Sequence, residues 1–337
     1  MAIRTDLAHN GRTVAVLEVR DLEVSFGPTR ILRGVSFDLN AGETLGVVGE
    51  SGCGKSMTGF AVMGMLQPPG RISGGSIKLE GREIANLPER EFRSIRGEQI
   101  GLVMQDPFTS LNPMMRIGDQ IAEVYRLHHG VPKAKARQQA VEMLEKVGVP
   151  GPEASARKYP HQMSGGQRQR VVIAMAFACK PKVLIADEPT TALDVTLQAQ
   201  ILRLLRELQE QEGTAVMLIS HDIGAIASIS KRIAVFYAGK IVETGPANLV
   251  LGKPAMPYTR ALLNALPQPG RTRLEAIFGQ PPDFAKLSPG CSFAPRCPFK
   301  VDACGQEPAL RAVEAEHESA CWRAEEVFGG LTAEPVA

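Results

Sequence analysis

Gly49-Glu50-Ser51-Gly52-Cys53-Gly54-Lys55-Ser56 sets a lysine and a hydroxyl directly after three closely spaced glycines. A glycine, four residues, then Gly-Lys-Ser is the spacing of a loop that cradles phosphate. Glycines let consecutive backbone N–H groups curl around an anion without Cβ clashes, and a helix starting there adds its positive dipole end. In such a loop Lys55 reaches the β- and γ-phosphates of a nucleotide, and the Ser56 hydroxyl ligates Mg2+. Far downstream, the apolar run Val183-Leu184-Ile185-Ala186 ends in two adjacent carboxylates, Asp187 and Glu188. Carboxylates at the end of a buried strand are costly unless a cation or a nucleophile uses them. Asp187 is expected to hold Mg2+ through water, and Glu188 to polarise an attacking water. A third apolar run, residues 216–220, delivers His221 to the same kind of strand end, where ligand groups of open α/β sheets collect; His221 is a candidate γ-phosphate sensor.

Such groups need strands that end at one edge and helices that begin there. Residues 43–48 read as a buried strand entering the phosphate loop, and residues 57–66 as an apolar helical run leaving it. Residues 16–26 and 31–39 alternate like strands around a Gly27-Pro28 turn. Phe26, just before that turn, is either a base-stacking aromatic or a core phenylalanine. Residues 77–79 and 100–104 add short strands. The pattern breaks at Gln105-Asp106-Pro107, and helical periodicity returns at Ile117 and again over 133–147. This section reads as a helical insertion. It ends at residues 159–170, where Gly165 and Gly166 open an apolar helix running to about Cys179. Residues 195–212 form a helix with Leu202, Leu205 and Leu208 on one side.

A chain of 337 residues holds one large domain or a domain with an appendage. Hydrophobic and charged fractions of 44% and 22% allow a core of full size. A net charge of +2 disfavours a dedicated nucleic-acid binder. The uncharged run 56–70 is too short to span a bilayer, and the first residues lack a secretory pattern. Residues 1–14 are expected to be a flexible tail, and the chain to be cytosolic, with any membrane role supplied by partners.

The motifs GESGCGKS, Gln105, Ser164-Gly165-Gly166-Gln167, LIADEP (184–189), Ala192-Leu193-Asp194 and His221 occur in the order found in ATP-binding subunits of ABC transporters, and residues 16–250 resemble that family. The resemblance implies an α/β phosphate-loop ATPase core over 15–250 with an α-helical subdomain at about 106–178. It also implies that two such units face each other head to tail, so that residues 164–167 contact ATP held by the partner. Phe26 would match the adenine-stacking aromatic and Asp194 would join the ATP-contacting residues. Gln105 would link the γ-phosphate and Mg2+ to membrane subunits. QDPFTSLNP, YPHQMSGGQRQR, DEPTTALDVTLQAQIL, YAGKIVETG and PYTRALLNALP extend the similarity over nearly the whole chain, to the oligopeptide and dipeptide importer branch. That branch implies a related second ATPase subunit as heterodimer partner and two membrane permeases. An extracytoplasmic binding protein delivers the cargo, and the chain would sit at the cytoplasmic face of the membrane. It also includes importers of nickel and other solutes. A soluble ABC ATPase of nucleic-acid metabolism is the alternative of another class, but the chain shows neither two cassettes nor a basic linker. A redox-sensing regulatory ATPase is a further alternative, suggested by cysteines alone.

Residues 251–337 form a proline- and glycine-rich extension carrying Cys291, Cys297, Cys304 and Cys321, separated by five, six and sixteen residues. Four clustered thiols in a cytosolic chain favour a metal over disulfides. The Cys297-Pro298 pair suits a 4Fe-4S cluster, and this extension resembles the C-terminal region of the importer branch. Zinc and free thiols stay open, although the short knuckles of structural zinc sites are missing. Because the segment is poor in apolar residues, ligation is expected to staple it. Cys53 is expected to make the ATPase sensitive to alkylation, and Cys179 to be a small core residue.

Overall fold

The computed structural model describes residues 15–191, 193–266 and 277–330, so the expected tail at 1–14 lies outside the described residues. Within them the strands are, in chain order, β1 (Ala15–Phe26), β2 (Thr29–Asn40), β3 (Thr44–Val48), β4 (Gly70–Leu79), β5 (Arg82–Glu83) and β6 (Ile100–Val103). They continue with β7 (Val183–Asp187), β8 (Ala215–Ile219), β9 (Arg232–Tyr237), β10 (Lys240–Pro246), β11 (Arg311–Glu314) and β12 (His317–Ser319). One sheet has the order β2-β1-β4-β5 and is antiparallel. The other has the order β11-β12-β10-β9-β3-β8-β7-β6, in which the five strands from β9 to β6 run parallel and the outer three are antiparallel.

The two-residue period of the parallel strands sorts their side chains into two cores. Leu184, Ala186, Val216, Leu218 and Val235 face a helical layer that includes Val171 and Ile173 of helix Gly165–Phe177 and Leu205 and Leu208 of helix Val195–Glu212. Val183, Ile185, Met217, Ile219 and Phe236 face the antiparallel sheet and meet Leu17, Val19, Leu32 and Val35. Both faces are covered, which is why these strands read as unbroken apolar runs rather than alternating ones. Helices Ile117–His129 and Lys133–Lys146 join the first core through Ile117, Ile121, Ala140 and Leu144. The helix after the phosphate loop is shorter than residues 57–66 suggest. It spans Lys55–Val62 and stops because Gly64 takes φ +59°, where an added Cβ would strike the Phe92 ring at 2.6 Å.

The C-terminal segment differs from expectation. It does not stand apart waiting for a staple: β12 pairs with β10, setting Ser319 opposite Glu243, and so extends the central sheet. Phe293, Ala320, Ala324 and Val327 are buried, and Phe293 packs edge-on to Tyr237 and Tyr258 at centroid distances of 5.3 and 5.4 Å. Its apolar residues are few, but the body of the protein supplies the surface they bury against. His317 and Glu243 are both fully buried; the imidazole Nε2 lies 2.8 Å from the carboxylate, which also accepts the Ala255 N–H. Replacing His317 with Leu should cost about 3–5 kcal/mol in urea unfolding, because it strands a buried carboxylate, whereas Glu243→Leu/His317→Leu should cost clearly less. Equal losses would mean that the pair contributes only its packing.

Candidate active site

The phosphate loop joins β3 to helix Lys55–Val62. Gly49 has φ +149°, and a Cβ there would lie 2.3 Å from the Phe236 carbonyl oxygen, so only glycine lets the loop pass this close to β9. Lys55 is buried, and its ammonium donates to the carbonyls of Gly49 at 2.8 Å and Glu50 at 2.9 Å, inside the curl of the loop. The Ser56 hydroxyl donates to Asp187 Oδ1 at 3.0 Å, which brings together two groups 131 residues apart. Burial raises the Asp187 carboxyl above its usual range and the nearby Glu188 charge adds to this, while the Ser56 bond pulls the other way. A divalent cation would relieve that penalty. A hydroxyl, a carboxylate and the Gln105 amide are hard oxygen donors of the kind Mg2+ takes.

Glu188 is the meeting point of the site. Its carboxylate accepts from Thr191 Oγ1 at 2.8 Å and Gln105 Nε2 at 3.0 Å, and lies 3.2 Å from His221 Nδ1. Burial works to raise its pKa, but the hydrogen bonds from Thr191 and His221, with the His221 and Lys55 charges, outweigh it and hold the carboxyl below the ordinary glutamate range. It is therefore ionised at neutral pH and able to polarise a water. Its backbone sits at φ +48°, which non-glycine residues seldom adopt, and its N–H is tied to the Ile219 carbonyl at 2.8 Å. The turn aims the carboxylate out of the sheet edge toward Gln105 and His221, so the structure brings together Lys55, Ser56, Gln105, Asp187, Glu188 and His221.

Other expected residues lie elsewhere. Phe26 ends β1, half-buried, with its ring against Gly70. Ser164 is the N-cap of helix Gly165–Phe177: its hydroxyl accepts the Gln167 N–H at 3.3 Å, and the Gln167 side chain accepts the Ser164 N–H at 3.1 Å. These bonds stay within the cap, leaving an exposed helix N-terminus in which Gly166 packs against Leu197. Asp194 caps the next helix by accepting the Leu197 N–H at 2.9 Å. Cys53 is buried beside Lys55, and burial raises its thiol pKa while the Lys55 charge works to lower it. Cys179 is a buried core residue, its thiol pushed up to about 11 by burial.

The four C-terminal cysteines are free and part-buried, with Cys297 within electrostatic reach of the other three. Burial pushes Cys297 up to about 12 and Cys321 to about 11, and it raises Cys291 as well. Among the described residues no group of three or more His, Cys, Asp or Glu side chains is arranged to hold a metal ion. The ligand set of the expected 4Fe-4S or zinc centre is therefore not drawn together among the described residues. The sequence also left Thr191 without a role, although its position three residues after Glu188 in a turn was a usable signal. Arg296 and Tyr258, which reach Glu50 in the phosphate loop, carried no signal at all.

Residues 32–191 match the ABC transporter family, and residues 242–304 match the oligopeptide/dipeptide transporter C-terminal region. The chain is 50% identical over 314 residues to the oligopeptide transport ATP-binding protein OppD of Salmonella typhimurium, covering 91% of this chain and 93% of that protein. It is 44% identical to the dipeptide transport ATP-binding protein DppD of Escherichia coli, over 91% of this chain and 96% of that one. Among solved structures it resembles the ATP-binding cassette MJ0796, a dimer in a post-hydrolysis state bound to ADP and Pi, with a TM-score of 0.61 and 26% identity over 68% of this chain and 98% of that one. The active-site geometry and these likenesses agree: the chain is an ATPase that belongs to the ABC transporter family, with the C-terminal region of its oligopeptide and dipeptide transporters.

Proposed function

We propose that this chain is the ATP-hydrolysing subunit of a peptide importer. The observation that carries the reading is the convergence of Lys55, Ser56, Gln105, Asp187, Glu188 and His221 in a chain with a C-terminal region of the oligopeptide/dipeptide transporter kind. Lys55 and the loop N–H groups bind the β- and γ-phosphates; Ser56, Asp187 and Gln105 would hold Mg2+, which would supply positive charge to the phosphates. Glu188 polarises the attacking water, and His221, oriented by its contact with Glu188, senses the γ-phosphate. Ser164 to Gln167 serve across a dimer interface, which suits a helix N-terminus whose side chains are occupied only with capping, and Asp194 joins the residues that contact ATP. Phe26 stacks on the base.

The partners are a related second ATPase subunit, two membrane permeases and, through them, an extracytoplasmic binding protein. Among the described residues no helix is long and apolar enough to cross a membrane. In this reading the permeases supply the span and the chain works at the cytoplasmic face. Exposed Phe108 and Met114, just after Gln105, fit the segment that would dock them; Phe108 is 64% and Met114 84% exposed. Co-purification from detergent-solubilised membranes tests the assembly: two polytopic subunits support it, and nucleic acid or no partner contradicts it.

The cysteines carry a finer proposal, a 4Fe-4S cluster on Cys291, Cys297, Cys304 and Cys321. Its support is the soft donor set and the backbone N–H groups of Phe299 and Arg323, each 3.4 Å from the Cys297 or Cys321 sulfur, since hydrogen bonds to sulfur are a feature of such sites. Anaerobically purified protein should be brown, hold about four irons per chain, and bleach when any of the four is changed to Ser. One zinc per colourless chain, or four alkylatable thiols without metal, would overturn it.

A further inference from the structure

We propose that Arg296, far outside the ATPase motifs, is a positioning residue for the phosphate loop and acts by neutralising and anchoring Glu50. The guanidinium forks onto the carboxylate, Nη1 to Oε2 at 2.6 Å and Nη2 to Oε1 at 2.9 Å, with side-chain exposures of only 6% and 20%. Its own position is fixed from behind, where Nε donates to the Phe278 carbonyl at 2.8 Å and Nη1 to the Tyr237 hydroxyl at 3.3 Å. Glu50 is gripped at two further points. Its N–H donates to the Tyr258 hydroxyl at 2.8 Å, and its carbonyl accepts from the Lys55 ammonium at 2.9 Å. The last contact matters for function, because a shift of Glu50 moves the support of the lysine that binds phosphate. Tyr237 and Tyr258 lie 4.5 Å apart between centroids, with Phe293 edge-on to both, so the anchor rests on a packed aromatic wedge.

Two physical effects follow from this geometry. A carboxylate in an anion-binding loop repels phosphate, and a bidentate guanidinium removes that repulsion where water screens it poorly. A loop held before binding also loses less freedom when the nucleotide arrives. Both act on ground-state binding of MgATP and not on the attacking water at Glu188. The proposal rests on the ATP-binding reading of the loop.

The test measures Kd for a fluorescent ATP analogue with Mg2+ on the full-length chain, and KM and kcat for ATP in the assembled complex. Arg296→Met should raise Kd and KM about tenfold and change kcat less than about threefold, the pattern of lost ground-state binding. Glu50→Gln/Arg296→Met should recover most of the affinity, since the unpaired charge is gone. A merely structural Arg296 predicts a lower Tm with unchanged KM for the folded fraction, and no recovery in the double variant; either result overturns the proposal. Where Arg296→Met does not fold, Arg296→Lys keeps the charge but loses the fork; a several-fold rise in Kd supports positioning, and parental Kd refutes it. Lys55→Ala, run alongside, must lose nucleotide if the loop binds ATP at all, so retained binding there indicts the ATP-site reading rather than Arg296.

Discussion

Glu188→Gln is expected to bind MgATP with near-parental affinity and to hydrolyse it about 100- to 10,000-fold more slowly in the assembled complex, the range for a lost general base. The carboxylate accepts from Thr191 and Gln105 and faces His221, so it is held by three neighbours, none of which belongs to the phosphate loop. Its depressed pKa keeps it ionised at neutral pH. An amide of the same shape turns an NH2 group toward at least one of these donors and cannot draw a proton from water. Lys55→Ala should do the opposite, weakening nucleotide binding itself. Trapped ATP should prolong the closed dimer in the Glu188→Gln complex. Hydrolysis at the parental rate would show that another group activates the water.

Ser164→Arg is expected to suppress hydrolysis at the partner's ATP site by a large factor while leaving nucleotide affinity of the isolated chain nearly unchanged. The chain has one phosphate loop, and the hydrogen bonds of Ser164 and Gln167 close on their own helix cap. MJ0796, which shares the fold, was solved as a dimer. Arginine at the cap would set bulk and charge against a γ-phosphate approaching from the facing subunit, a repulsive element that acts only on assembly. Equilibrium binding to the isolated variant, compared with turnover of the complex, measures both halves. A large affinity loss in isolation would place the signature residues in the chain's own site.

What the sequence made legible was local chemistry. Lys55 and Ser56 announce themselves by spacing, Asp187 and Glu188 by ending an apolar run, and residues 195–212 by helical period, with the observed helix covering the same span. The convergence of Ser56 with Asp187, 131 residues apart, was inferable because the phosphate loop follows one buried strand and Asp187 ends another. The anchoring of the C-terminal segment was not legible. Arg296 and Glu50 are 246 residues apart, and neither sits in a periodic pattern that aims it at the other. Strand β12 has three residues, too few to show alternation, and nothing in its sequence tells that Ser319 will lie opposite Glu243 of β10 or that His317 will meet the Glu243 carboxylate. Four cysteines suggested a metal staple because composition reports thiols plainly and the docking surface of the rest of the chain not at all.

The central claim, ATP hydrolysis coupled to peptide import, is tested most directly by peptide accumulation in sealed proteoliposomes. These would contain the two permeases and both ATPase subunits, with binding protein added on the face opposite this chain. The prediction is uptake of labelled peptide against its gradient that requires ATP on this chain's side and falls to background with Glu188→Gln. Uptake unaffected by ATP or by Glu188→Gln, or ATP hydrolysis that drives accumulation of nickel and not of any peptide, would contradict it.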